Sequence, residues 1–321
     1  MPTVPPSNVI GSSGLTHQAS VYYDRLGLDK LLPMIQFQQV CESKPLPRNA
    51  GRTIQWYRFT AGVANTNPAS DGVIGNPLSL ASNTVSATVE EYNDHTSSST
   101  LLEETDISPT VENMVANMSE RGALTADTLA RTEADSSVAT TGVSTVGAYL
   151  SVADYKRNSI ALAGLNIRPH TGQDYIVIQH PFVRYDVVSD NTAGGFIDAM
   201  KYTAGTQVLN GEIGRAGGCR ILETTNVGTS GTAPSVLYYT YLFGYRPMGC
   251  VDLSGSGPSQ ITDLNNQRFQ TLVSKGGPSG FDPAGTTGTY VAYRFVTAFK
   301  LLYTSNDQYR LKIIKADASL V

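Results

Sequence analysis

Glu90-Glu91 and Glu103-Glu104 are adjacent carboxylates, the residue type that divides acid and base roles in hydrolysis. Neighbours on a strand point to opposite faces, so neither pair addresses one substrate. Four histidines, His17, His95, His170 and His180, stand far apart, and none pairs with another His or a Cys at metal-ligand spacing. His180 precedes Pro181 at a strand end, where a satisfied structural histidine is expected; with Asp186 or Asp190 it is also the best acid–base pairing available to a hydrolase. The chain has no G-x-x-x-x-G-K-[ST] loop, no G-x-G-x-x-G after a strand and no G-x-S-x-G elbow. Gly276, Gly277 and Gly280 lie among Pro and Ser and read as a loop, while the sequon Asn117-Met118-Ser119 falls inside a predicted helix and is discounted. Cys41, Cys219 and Cys250 are odd in number without a close pair, as expected of reduced thiols in an intracellularly folded protein. The expectation is a protein with no catalytic, metal or cofactor site.

Composition points the same way. Charged residues are 16% of the 321, against about 25% in an ordinary soluble domain, and 23 bases against 27 acids leave a net charge of −4. Coiled coils, collagen, charge-rich disorder and polybasic nucleic-acid binders are excluded. No apolar run reaches the roughly 18 residues of a membrane helix. Met1–Leu15 lacks the basic start and apolar core of a signal peptide, so neither secretion nor a membrane partner is expected. Seventeen tyrosines suit extensive contact surfaces, since Tyr joins apolar area to a polar tip.

The elements that would position such surfaces are unevenly distributed. Residues 1–20 read as an arm rich in Pro, Gly and Ser, followed by an amphipathic stretch from Tyr22 to Ile35 that Pro33 limits. Cys41 to Asn49 reads as extended. Arg52 to Phe59 is a strand with Ile54 and Trp56 on one face and Tyr57 and Phe59 on the other; Thr84 to Tyr92 is its partner, with Val85, Ala87 and Val89 aligned. The 24 residues between them, Thr60 to Asn83, make a long hairpin that is marginal alone and is expected to lie on another molecule.

A long helix follows over about 107–133, with Ser108 as N-cap, Pro109 at its first position, and Val111, Met114, Val115, Met118, Thr125 and Leu129 at 3–4 spacing. A second helix, Ser151 to Ala163, stops at Gly164. Strands are expected at Tyr175–Ile178, Ile221–Val227, Val236–Tyr245, Tyr290–Tyr303 and Tyr309–Ile314, with a short helix near Phe196–Tyr202 and loops over Asp252–Gly288. The alternation is too irregular for a doubly wound sheet, and the class is α+β.

Charge is lopsided. Residues 90–135 hold eleven acids and two bases, a balance of −9, whereas 41–60 and 300–315 each balance at +3. The acids are either a solvated face or a docking face for a basic partner. An arm, an extended hairpin and an acidic helix on a compact body describe a self-assembling structural protein.

That order of elements resembles the Hong Kong 97-like major capsid proteins of tailed bacteriophages, specifically the podovirus-type family. The segments that carry the resemblance are Tyr22-Tyr23-Asp24-Arg25 before Leu31-Leu32 and Pro45-Leu46-Pro47-Arg48-Asn49-Ala50-Gly51-Arg52-Thr53-Ile54. Tyr92-Asn93-Asp94 before Leu101-Leu102 and Tyr175-Ile176-Val177-Ile178-Gln179-His180-Pro181 come next, and Gly211-Glu212-Ile213-Gly214 before Gly217-Gly218-Cys219-Arg220-Ile221 is last. The resemblance implies an N-terminal arm (1–50), an E-loop hairpin (51–95), a peripheral domain with the spine helix (96–139), an axial domain with surface loops (140–285) and closing peripheral strands (286–321). It also implies a virion subunit assembled in the bacterial cytoplasm as pentamers and hexamers of an icosahedral shell. Its partners would be further copies of itself, a separate scaffolding protein, a portal, a decoration protein and double-stranded DNA held weakly and non-specifically. By analogy Arg48, Arg52, Trp56 and Arg58 on the hairpin would meet a neighbour, with Glu112 and Glu120 on the spine helix receiving the arginines. No lysine occurs between Lys44 and Lys156, so the hairpin has none for an isopeptide cross-link, and a non-covalent shell is expected. An encapsulin-like nanocompartment shell and an unrecognised α+β hydrolase are the competing readings.

Overall fold

A computed structural model describes residues 35–46, 51–59, 64, 66, 68, 82–105, 110–137, 147–170, 172, 174–189, 212–232, 236–252, 269–275, 287–303 and 310–319. The expected arm, Arg48, the helix cap at Ser108–Pro109, most of the hairpin tip and the short helix near 196–202 lie outside them.

After a short 3-10 turn (Phe37–Val40), β1 (Cys41–Pro45) leads into the hairpin strands β2 (Thr53–Phe59) and β3 (Ser82–Thr88), then β4 (Glu90–Ser99). Helices α1 (Thr100–Thr105), α2 (Thr110–Asp135) and α3 (Val152–Gly164) come next, followed by β5 (Tyr175–Gln179) and α4 (Pro181–Ser189). The remaining strands are β6 (Glu212–Ala216), β7 (Cys219–Glu223), β8 (Thr229–Ser230), β9 (Leu237–Phe243), β10 (Met248–Asp252), β11 (Phe269–Lys275), β12 (Thr287–Thr297), β13 (Phe299–Leu301) and β14 (Leu311–Ala316).

These form a mixed six-stranded sheet in the order β14-β9-β5-β7-β6 with β8 also on β9, two three-stranded sheets, β1-β10-β13 and β11-β12-β4, and the isolated pair β2-β3. Strand β5 is parallel to β7 and antiparallel to β9 and is buried along its length, as its unbroken apolar run requires.

Two expected strands each prove to be two. The run Thr84–Tyr92 breaks at Val89, so β3 stays in the hairpin while β4 joins β12. The run Tyr290–Tyr303 breaks at Ala298, and β12 and β13 enter different sheets. Across Ala298 periodicity sees no break, because the odd positions stay inward on both sides; across Val89 the inward face changes from odd to even positions, a shift that Glu90-Glu91 marks in the sequence. The strand β11 falls inside the expected loop Asp252–Gly288, and α4 begins where only a strand end was read. Pro181 at its first position is a helix-start signal, and His180 acts as its cap, Nδ1 accepting the Phe182 N–H at 3.1 Å.

Helix α2, 26 residues and about 39 Å long, ties the body together. From Val115 to Ala126 it lays Val115, Met118, Ala123 and Ala126 against Val291, Tyr293 and Phe295 of β12. Its C-terminal half puts Ala130 and Ala134 into the larger core with Phe37, Tyr241 and Phe243. The small residues let the helix backbone approach both sheets. Helix α3 starts where Ser151 donates its N–H (3.0 Å) and hydroxyl (2.8 Å) to Asp154, and it packs Tyr155 and Leu162 into the same core.

Candidate assembly surface

The hairpin is anchored on one face and bare on the other. Arg52 closes its base by accepting the Val89 N–H at 2.8 Å and donating back to the Val89 carbonyl at 3.4 Å. Register pairs Trp56 with Val85 and Ile54 with Ala87. Ile54, Trp56, Ala87 and Val89 pack with Leu46, Val251 and Leu302. Trp56 lies so close to β10 that a Cβ on Gly249 would stand 2.7 Å from two of its ring carbons, a contact only glycine permits. Trp56 is 6% exposed and belongs to the subunit's own core, not to a surface offered to a neighbour. Its alternation with Tyr57 was the signal for that. On the opposite face Tyr57 and Phe59 are 63% and 62% exposed.

The acids of residues 90–135 divide. Asp127 is buried and accepts the N–H groups of Gln36 (2.9 Å) and Phe37 (2.8 Å) and the Asn226 amide (3.0 Å). Asp135 accepts the Tyr241 hydroxyl at 2.5 Å, and Glu133 accepts the Leu301 N–H and the Lys300 ammonium, each at 2.9 Å. Asp94 meets Arg121 at 2.6 Å, and Glu103 accepts the Thr289 N–H at 2.5 Å and the Ser98 hydroxyl. Burial raises the carboxyl pKa of Asp127 and Asp135, whereas the hydrogen bonds from Ser98 and Thr289 lower that of Glu103. Much of the negative stretch therefore works inside the chain as structural acceptors, which charge counting could not distinguish from a solvated face. Glu112 and Glu120 remain exposed on α2, and Arg52 is exposed at the hairpin base.

The structure brings together the two positively balanced segments. Arg58 on β2 and Arg310 before β14 both lie over the ring of Tyr303, at 5.1 and 3.7 Å from its centroid. Arg246, which sequence reasoning passed over, stacks on Tyr245 at 4.9 Å and pairs with Glu42 at 2.8 Å.

His180 and Asp186 are each engaged elsewhere, so that hydrolase pairing does not assemble. The His180 ring stacks on Tyr238 at 4.5 Å, its Nδ1 is used by Phe182, and burial lowers its pKa. Asp186 is taken by the Ser319 N–H at 3.1 Å and by its hydroxyl, and Asp190 lies outside the described residues. Among the described residues no group of three His, Cys, Asp or Glu could hold a metal.

No protein-family model and no curated protein sequence matches the chain. Solved structures do. The capsid of Ralstonia phage GP4 is similar at a TM-score of 0.66 and 13% identity, over 87% of both chains. The head structure of Helicobacter pylori bacteriophage KHP40 follows at 0.62 and 10%, over 88% of this chain and 91% of that one. A virus-like particle from Pyrococcus furiosus is similar at 0.50 and 9%, over 91% and 98%. At these identities the likeness is one of fold: the chain carries the fold seen in these bacteriophage capsids.

Proposed function

We propose that the chain is the major shell subunit of a phage head, self-assembling into the pentamers and hexamers of an icosahedral capsid around double-stranded DNA. The observation that carries this reading is the likeness to phage capsid chains over 87–88% of this chain. The hairpin adds to it, with one face built into the subunit and the other left as exposed aromatics. In this reading 51–95 is the E-loop, laid over a neighbour with Arg48, Arg52 and Arg58 toward acids such as Glu112 and Glu120. Residues 96–139 carry the spine helix, 140–285 the axial domain, and 286–321 the closing strands, of which β14 returns to the six-stranded sheet. The shell would be non-covalent, built with a separate scaffolding protein and a portal, stabilised by a decoration protein, and would hold its DNA weakly, since a subunit of net charge −4 releases few counterions.

Light scattering and negative-stain microscopy of the purified protein, alone and with a co-expressed scaffold, test this. Closed shells or rings of five and six subunits are expected; a monomer or dimer under both conditions would sink the proposal. The likeness to the Pyrococcus particle favours a second reading, a protein nanocompartment. Shells devoid of DNA and loaded with an enzyme would decide for it.

A further inference from the structure

The cluster at Tyr303 joins residues distant in sequence. Arg58 comes from the hairpin, Glu42 from β1, Arg246 from the turn before β10, and Arg310 from the residue before β14. Arg310 donates one Nη1–H to the Tyr245 carbonyl at 2.8 Å. Three arginines thus stand around one acid, Glu42. Glu42 pairs with Arg246 and lies within Coulombic range of Arg310, so a carboxylate is accommodated there, while neither Arg58 nor Arg310 forms a close ion pair with a carboxylate of the described residues. A guanidinium held over a ring keeps its N–H edge available for two-pronged pairing with a carboxylate, and Nε of Arg58 is buried without a hydrogen-bond partner.

We propose that the Arg58–Tyr303–Arg310 cluster is a carboxylate-binding surface for an acidic side chain of a second copy of this chain. The proposal rests on the shell-subunit reading. Charge complementarity selects the occupant, because a chain with 27 acids against 23 bases supplies carboxylates from its own surface. A nucleic-acid backbone fits less well, since its continuous row of phosphates would also run against Glu42.

The test uses the full-length protein assembled from mixed isotope-labelled and unlabelled Arg310→Lys subunits, treated with a carbodiimide and digested for mass spectrometry. An amide between the introduced amine and an Asp or Glu of the other isotope is expected; links confined to one isotope would overturn the proposal. In parallel, Arg58→Gln/Arg310→Gln should lower the urea midpoint only slightly, for the ring contacts and the Tyr245 hydrogen bond it loses, yet need roughly tenfold more protein to assemble, two partly exposed ion pairs being lost. An unchanged assembly concentration rejects the surface and leaves the shell reading intact, whereas failure of the unsubstituted chain to assemble rejects both. Unaltered assembly with weakened binding of a DNA duplex would assign the cluster to nucleic acid and likewise overturn the proposal.

Discussion

Strands β2 and β9 are both rich in aromatic residues, and the structure treats them in opposite ways. β9 runs Leu-Tyr-Tyr-Thr-Tyr-Leu-Phe, has β14 on one side and β5 and β8 on the other, and buries Tyr241 and Phe243 completely. β2 runs Thr-Ile-Gln-Trp-Tyr-Arg-Phe, has β3 as its one partner, and buries Ile54 and Trp56 while Tyr57 and Phe59 stay in water. Both faces of β9 are covered, by Asp135 of α2 bonding Tyr241 and by Phe182 of α4 packing edge-on to Tyr238 at 5.9 Å. The outer face of β2 has no such cover within the described residues. β9 is covered on both faces, whereas β2 is half open among the described residues.

Truncating aromatics within β2 itself gives the largest contrast. Trp56→Ala should cost the subunit about 3–5 kcal/mol in urea unfolding, while Phe59→Ala should stay within about 0.5 kcal/mol and impair assembly instead. Equal costs would mean that the two faces are not distinct. A smaller effect is expected in β9 from Tyr241→Phe, which keeps the ring but removes the hydroxyl shared by Asp135 and the Gly228 N–H, and so should lose about 1–3 kcal/mol. A neutral result would mean that Asp135 finds water there.

The smallest concerns pH. Hydrogen bonds hold the Glu103 carboxyl below its ordinary value, so its contribution is present above that value and lost as pH falls through the lowered one. Glu103→Gln should flatten the acid limb of the urea midpoint measured over roughly pH 3 to 6. An unchanged slope would show that Ser98 and Thr289 do not read its charge.

Several features were readable from the residues. Alternation at 54–59 separated the two hairpin faces, 3–4 spacing outlined α2, and the apolar run 175–178 marked a buried strand, because each is a local pattern repeating at the period of its element. The break at Ala298 was invisible, since the pattern continues in phase across a change of sheet, whereas the break at Val89 leaves only the local phase shift at Glu90-Glu91. Strand β10 was missed because its defining residue, Gly249, has no side chain to signal; its reason lies 193 positions away in Trp56.

By itself, then, the sequence determined the class of the fold, the absence of recognisable catalytic motifs, and the presence of a hairpin with more apolar surface than it could bury alone. Tertiary structure decided which charges are free to act. Asp127, Glu133 and Asp135 are consumed by backbone and side-chain donors that only folding brings near, and Arg58 and Arg310 share one tyrosine ring despite lying in two distant segments. Charge along a chain is additive, but the energy of a charge depends on what lies within a few ångströms of it, and that is set by packing.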